Sequence, residues 1–511
     1  MGGTMQTRFA GAVPAMIGTA ALLLGAVVSP VSHYAAAAIL MLCAVGLYFY
    51  CALVQAKGNW WDIRAVFSAI WLMTNGLAAL RLTGYQAPWE TKTWVCQAIA
   101  FAAFHLGAGL GSGLGRKIHH WLDGQIGKSM GRIRIALRQE RLFWFCFAVT
   151  LMGVGAFLMN VRSRGFIPYL TASGGSAYLS FYTKWYIFAV AGSMISGLSY
   201  YVLKTQKLSL WKRMFLWCSI LYSTFLFPIL VVNRSALLTA GLSLTTAVFY
   251  LNKRRLWVLV LCAVVLVGAF GMCTSARGYS EAQLQVFFEP AQIGGNNNQQ
   301  TEPNQPEDTQ PPVPQETLQP DDTQPSAPQE TVQPEGTPQE TAPQEQPQQP
   351  GFQLSGTAAF IYSYLTVSHD NLNEAMRNEV EFTYGARQLK PFNVILRIPA
   401  LANVIENAEI YKVRPHLTTV NVIGQAYYDF GLLGVGVFMF LWAMIFGAIQ
   451  AVYLQGEGVF SMLALGNSMT PVTLCFFSAW MSEFSHWMHW GLILILFLAA
   501  YITVEPRKGK E

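Results

Sequence analysis

Charge is what this 511-residue chain has least of: 12% of it is Asp, Glu, Lys or Arg, against roughly 25% in a soluble domain. With 53% hydrophobic residues and a mean hydropathy of +0.34, a water-soluble globule is excluded and a bilayer is the expected solvent. Cysteine chemistry is missing as well. The eight cysteines (Cys43, Cys51, Cys96, Cys146, Cys218, Cys262, Cys273, Cys475) lie in or at the ends of apolar runs. No C-x-x-C or Cys/His cluster occurs, so neither a disulfide framework nor a zinc site is expected, and the cysteines read as small core hydrophobes. There is no Walker A, no G-x-S-x-G and no G-x-G-x-x-G between a strand and a helix, which leaves ATP-driven transport and serine hydrolysis without a motif. No cofactor, metal or nucleic-acid partner is expected.

Long apolar runs are what the chain does have. A spanning helix needs about 20 mostly apolar residues. By that test, spans fall near 9–29, 34–55, 63–82, 93–115, 142–162, 181–203, 212–232, 235–251, 255–273, 431–454, 458–480 and 488–504. The first run, after Arg8, could be taken for a signal peptide; a second run follows at once, so a retained helix is the expectation. The expected fold is an all-α polytopic membrane protein of about twelve helices. Residues 1–273 form an N-terminal membrane region, 274–430 a large extracytoplasmic loop and 431–511 a C-terminal membrane region.

Orientation follows from Lys and Arg in the connections. Arg116, Lys117, Lys128, Arg132, Arg134, Arg138 and Arg141 crowd one of them; Lys204, Lys207, Lys212 and Arg213 another; Lys253 to Arg255 a third; Arg507, Lys508 and Lys510 the tail. With twelve helices all of these fall on the side of Arg8, which makes that side and both termini cytoplasmic. Trp60, Trp61, Trp89, Trp94, Trp185, Trp487 and Trp490 stand near span ends, as an aromatic belt would. In the outer loop, residues 291–350 are rich in Pro, Gln, Glu and Thr, with PQET recurring at Pro314, Pro328 and Pro338. That stretch holds too little apolar surface to offset its ordering entropy, so a mobile acidic linker is expected. From 351 the composition changes, and GTAAFIYSYLTVSHDNLNEAMRN and RIPALANVIENAEIY read as amphipathic helices of a small cap.

Candidate chemistry gathers on the outer side. Arg162, Arg164, Arg234, Arg277, Arg387, Arg397 and Arg414 all lie against the positive-inside bias. A guanidinium is a planar fork of donors suited to phosphate oxygens, although any single one can equally be a snorkelling anchor or half of a surface ion pair. Arg234 stands apart: it sits in a turn of few residues before Ser235, where a helix N-terminus would favour an anion. His416, Tyr428 and Asp429 gather in PHLTTVNVIGQAYYDFGLLG, where a polar loop meets an apolar run. His416 is a candidate acid or base. Asp429 would orient a hydroxyl or N-cap the helix that follows, and Tyr427 and Tyr428 would stack on sugars or join the aromatic belt. Glu483, His486 and His489 would share a helix face, but the spacing is not that of H-E-x-x-H and no further ligand is evident. Interfacial anchoring or lining of the same outer pocket is expected for the two histidines.

At these residues the chain resembles the oligosaccharide repeat-unit polymerases, the Wzy-type O-antigen and capsule polymerases, which are related to the O-antigen ligases. The likeness rests on many spans with a large outer loop before the last few, on the NRSALL arginine turn, and on YYDFGLLG, which is similar to a Y-x-D-F-G-x-x-G pattern. Arg164, ten residues ahead of Gly175, fits an R-x10-G pattern; Arg414 reaches Gly424 one residue early, and the Pro/Gln-rich insertion is a departure. The resemblance implies a GT-C-like membrane glycosyltransferase in the bacterial plasma membrane. A glycan on undecaprenyl pyrophosphate would be the donor and a lipid-linked repeat unit the acceptor, with a flippase and a chain-length regulator as partners. Arg234, Arg277, Arg164 and Arg414 would bind pyrophosphate and sugar, His416 would act as base, and Asp429 and Tyr428 would orient the acceptor. A ligase-type transferase differs mainly in its acceptor. A flippase or transporter of the same lipid-linked sugars would be expected to show internal repeats, which the spans do not.

Overall fold

The computed structural model describes residues 12–125, 129–130, 133–135, 138–171, 181, 183, 185–193, 195–275, 356–414 and 417–504; the acidic linker expected at 291–350 lies outside them. Among the described residues, each of the twelve apolar stretches contains helix. They are α1 (Ala12–Val28), α2 (His33–Phe49, continued by a π turn to Gln55), α3 (Ile63–Ala79), α4 (Thr91–Gln125), α5 (Gln139–Arg164), the pair α6 (Tyr186–Ser193) and α7 (Ser196–Thr205), and α8 (Leu210–Leu230). After them come α9 (Arg234–Leu251) and α10 (Leu256–Ser275), then the cap helices α11 (Gly356–Arg377), α12 (Ala386–Leu396) and α13 (Pro399–Asn407), and last α14 (Gly424–Gly456), α15 (Val459–Thr473) and α16 (Phe484–Tyr501). Among the described residues, seven helices are long and apolar enough to cross a membrane, and α1, α3 and most of α16 are apolar but shorter.

Several boundaries differ from expectation for local reasons. The stretch expected as one span over 181–203 holds α6 and α7, and Tyr186–Thr205 taken together is long and apolar enough to cross a membrane. α14 starts at Gly424 rather than near 431, and breaks where Phe430 (φ −146°) and Gly431 (φ 62°) leave the helical region. The left-handed value at Gly431 suits a residue without Cβ. α15 ends at Thr473, short of the expected 480. A three-stranded ribbon was not expected. Ser129–Met130, Ile133–Ile135 and Ile502–Val504 pair antiparallel in that order, so the basic connection after α4 and the end of α16 lie on the same face of the bundle.

The two longest helices, α4 with 35 residues and α14 with 33, run along each other through glycine. A Cβ built at Gly107, Gly111 or Gly115 would lie 2.2, 2.0 or 2.3 Å from the carbonyl oxygens of Phe440, Met444 and Ala448. Spacing of four puts the three glycines on one helix face. Lipid tails are as apolar as leucine, so close backbone approach of this kind is what associates helices in a bilayer.

At the opposite end, α11 is held against α3, α4 and the turn between them by polar bonds. The Asp370 carboxylate accepts from the Trp89 indole (3.0 Å) and the Gln86 amide (2.9 Å). Asn373 Oδ1 accepts from Glu90 N and the Thr93 hydroxyl, both at 2.8 Å. His369 reaches Thr74 (3.1 Å) and Gln97 (3.2 Å). Burial pushes the Asp370 carboxyl up to about 6; the Trp89 and Gln86 bonds and the charges of Arg81 and Arg377 only partly oppose this. The folded state therefore binds a proton that the unfolded chain has lost, so Asp370 lowers stability as pH rises from about 4 to about 6, by on the order of 3 kcal/mol. An Asp370→Asn variant keeps an acceptor for the Trp89 indole. The melting temperature of the parent minus that of the variant, in detergent or nanodiscs, is expected to fall across that pH window and level off above it; a flat difference contradicts the assignment.

Candidate functional site

The turn ahead of α9 is short and strained. Val232 adopts φ 52°, a left-handed conformation that costs a residue other than glycine about 1–2 kcal/mol. Asn233 then caps α9: its side-chain oxygen accepts from Ala236 N at 2.9 Å and from the Ser235 hydroxyl at 2.7 Å, while its amide donates to the Tyr186 hydroxyl. Arg234 is the first helical residue, one position earlier than the sequence suggests.

Its side chain turns inward and is 9% exposed. The guanidinium carbon lies 4.7 Å from the centre of the Tyr364 ring of α11 and 5.6 Å from that of Phe270 of α10, and Nη1 makes no hydrogen bond. Cation–π contact offsets part of the desolvation cost, yet a buried guanidinium without an anion remains poorly compensated. The same two rings line a cavity of about 800 Å³ between α9, α10, α11 and α15, within the roughly 300–1,000 Å³ range of small-molecule sites. Leu238, Leu242 and Thr245 of α9 line it too. These positions follow Arg234 at i+4, i+8 and i+11, on one face of the helix. At 1.5 Å per residue the lining of the groove from Leu238 to Thr245 follows that face for about 10 Å. Its other walls include Trp61, Leu266 and Phe477. Such a site suits an anion joined to a long apolar chain.

The YYDF stretch does something else. Asp429 is 0% exposed, and its carboxylate accepts from the backbone N–H groups of Arg387 and Gln388 (both 3.2 Å) and from the Thr383 hydroxyl. These amides belong to the first turn of α12, so Asp429 caps the cap helix and not the membrane helix below it, which corrects the expectation. Tyr428, 2% exposed, accepts Tyr411 N at 2.9 Å and offers its ring to the Arg387 guanidinium at 4.6 Å. Arg387 in turn donates to the carbonyls of Ala408 (3.2 Å) and Glu409 (3.4 Å). Burial draws the Arg387 pKa down, against the pull of Tyr428 and Asp429. Tyr428, Asp429 and Arg387 thus form a clasp that ties α12 and the strand-like chain at 408–411 to the top of α14.

Of the other expected residues, His416 and Arg277 lie outside the described residues. Arg164 ends α5 at an exposed C-terminus closed by Gly165 in the left-handed region, where the helix dipole favours a cation. Arg414 is half-buried beside the clasp, its carbonyl accepting from Leu417 N. His486 and His489 do not line the groove. His489, with Asn467, Thr239 and Ser243, borders a separate cavity of about 30 Å³, the size of a water site. His489 Nδ1 bonds the Ser485 carbonyl at 3.0 Å, and His486 Nε2 accepts from the Trp490 indole at 3.1 Å. Among the described residues no group of His, Cys, Asp and Glu is placed to hold a metal. The cysteines are all free.

Sequence reading missed Phe270 and Tyr364, which lie in distant segments with no shared local pattern, and it gave Arg387 no special place. No family model, curated protein or solved structure matches the chain.

Replacing Asp429 with Ala strands two helix N–H groups and one hydroxyl, a local cost of about 1–3 kcal/mol. Hydrogen exchange followed by mass spectrometry should show faster exchange confined to 386–411, with the lower part of α14 unchanged; undiminished protection of α12 contradicts the clasp.

Proposed function

We propose that the chain is a membrane glycosyltransferase that polymerises undecaprenyl-pyrophosphate-linked oligosaccharide repeat units into O-antigen or capsular polysaccharide. One observation carries this reading: the buried Arg234 guanidinium, whose Nη1 has no hydrogen-bond partner, packs on Phe270 and Tyr364, two rings that line an apolar groove. A lipid pyrophosphate has the matching form, two phosphates followed by a polyprenyl chain. In this reading all twelve helices span the plasma membrane, the termini and basic connections face the cytoplasm, and the cap and Arg234 face outward.

Breaking the sugar–pyrophosphate bond builds negative charge on the departing phosphate oxygen. A preorganised guanidinium in a water-poor site stabilises that charge as it develops, without a metal. The acceptor hydroxyl loses a proton as it attacks; His416 is the residue the family resemblance offers as its acceptor. Asp429 and Tyr428 then serve by holding the cap over the site rather than by touching the sugar. Arg277, two residues beyond the end of α10, which also carries Phe270, is the second candidate for the pyrophosphate.

The test is a glycan gel from cells lacking the gene, complemented with parent, Arg234→Ala or Arg234→Lys at matched membrane levels. Loss of one such charge-stabilising group costs about 10²–10³ in rate, so Arg234→Ala should leave single repeat units, while Lys, which keeps the charge but loses the fork, should recover part of the polymer. Normal polymer from Arg234→Ala overturns the assignment. Full-length polymer that stays on its lipid carrier in the deletion strain favours the ligase reading.

A further inference from the structure

The cap helices α12 and α13 carry apolar faces that the described residues leave largely exposed. On α12, Leu389, Phe392 and Leu396 recur at i, i+3 and i+7 and share a face with Ile395. Ile395 is 67% and Leu396 63% exposed. On α13, Leu401, Val404 and Ile405 recur at i, i+3 and i+4, Glu406 and Asn403 take the opposite side, and not one residue of the helix is buried. Exposed apolar side chains in such number are unusual on a surface that meets only water.

The neighbours of this face say what covers it. Along α14, Leu433, Val437, Leu441 and Ile445 are exposed at intervals of four, a single stripe on a helix long and apolar enough to span a bilayer. That stripe faces lipid. It rises through Phe430, also exposed, directly into the Asp429 clasp that fixes the start of α12. On the adjacent side, Phe392 of α12 packs on Trp487 (4.8 Å) and Trp487 on Trp442 of α14 (5.8 Å), so the face of α12 is continuous with indoles of the kind that sit at a membrane–water boundary. Lys390 and Arg397, both exposed, flank the apolar face, where their stems can lie along it and their charges meet lipid phosphates.

We infer that α12 and α13 form an interfacial anchor: the hairpin lies in the plane of the leaflet nearest the cap, with its apolar faces in the headgroup–acyl boundary. Helices with one apolar and one polar face bind there to a depth of about 5–10 Å. The anchor holds the cap to the bilayer by lipid contact as the clasp holds it by hydrogen bonds, and it stands whether or not the glycan-polymerase reading does.

The test uses the full chain in nanodiscs at one copy per disc, with an environment-sensitive fluorescent amino acid placed at Val404 by codon suppression. Lipids carrying a nitroxide high on the acyl chain or at its end are compared as quenchers. The expected result is blue-shifted emission, quenched more by the shallow nitroxide than by the deep one, with a probe at Glu406 remaining water-like and unquenched. Ile395→Asp combined with Leu396→Asp, both at exposed positions, should reduce the quenching at 404 without lowering the yield of folded protein. Water-like emission at 404 with no quenching overturns the inference. So does protection that appears only with two copies per disc, since the occupant is then a second chain.

Discussion

A guanidinium taken out of water has to be compensated, and Arg234 is compensated by two aromatic rings and by nothing else among its described neighbours. That arrangement draws on three parts of the chain at once. Asn233 starts α9 so that Arg234 leads it, α10 supplies Phe270, and α11 supplies Tyr364 from a segment about ninety residues further along the chain. Below the cation, α9 continues with Leu238 and Leu242 on the same face. The groove is therefore largely apolar, and the cation packs on two of the rings that line it.

The remaining polar groups serve to keep that geometry in place. α11 can present Tyr364 to Arg234 because Asp370, Asn373 and His369 fasten its other end to the turn before α4. α4 is in turn pressed to α14 through glycine, so the turn, the cap and the long helices form one framework. Asp429 sits where that framework meets the cap, and its two oxygens serve backbone amides of α12. A carboxylate so engaged holds a shape and has little acceptor capacity left for a substrate hydroxyl.

Much of the architecture was legible because its causes are local. Twenty-residue apolar runs have to be helices in a bilayer, where every backbone group needs an internal partner, and amphipathic periodicity announced the cap helices α11 and α13 but not α12 between them. The breaks were harder to read. The kink at Phe430–Gly431 interrupts a run that is apolar throughout, so composition carries no sign of it. Arg234 was legible as a cation in an unusual turn, but its rings were not, since Phe270 and Tyr364 are brought together only by tertiary packing. The D-F-G stretch drew attention as chemistry and proved to be a clasp, because an Asp that caps a helix distant in the chain looks the same in sequence as one that meets a substrate. His486 and His489 were expected as interfacial anchors or at the outer pocket; His489 borders a small cavity apart from the groove, Thr239 and Ser243 of α9 lining the one and Leu238 and Leu242 the other.

The central claim is that Arg234 and the groove below it receive one molecule with an anionic head and a long apolar chain. The most direct measurement is binding of a polyprenyl pyrophosphate to the purified full chain in nanodiscs, read by native mass spectrometry, for the parent and for Arg234→Ala. The account predicts a bound complex with the parent, its loss or marked weakening in the variant, and weak binding of a short-chain pyrophosphate that carries the same head without the tail. Equal binding of the long-chain ligand by parent and variant would contradict it.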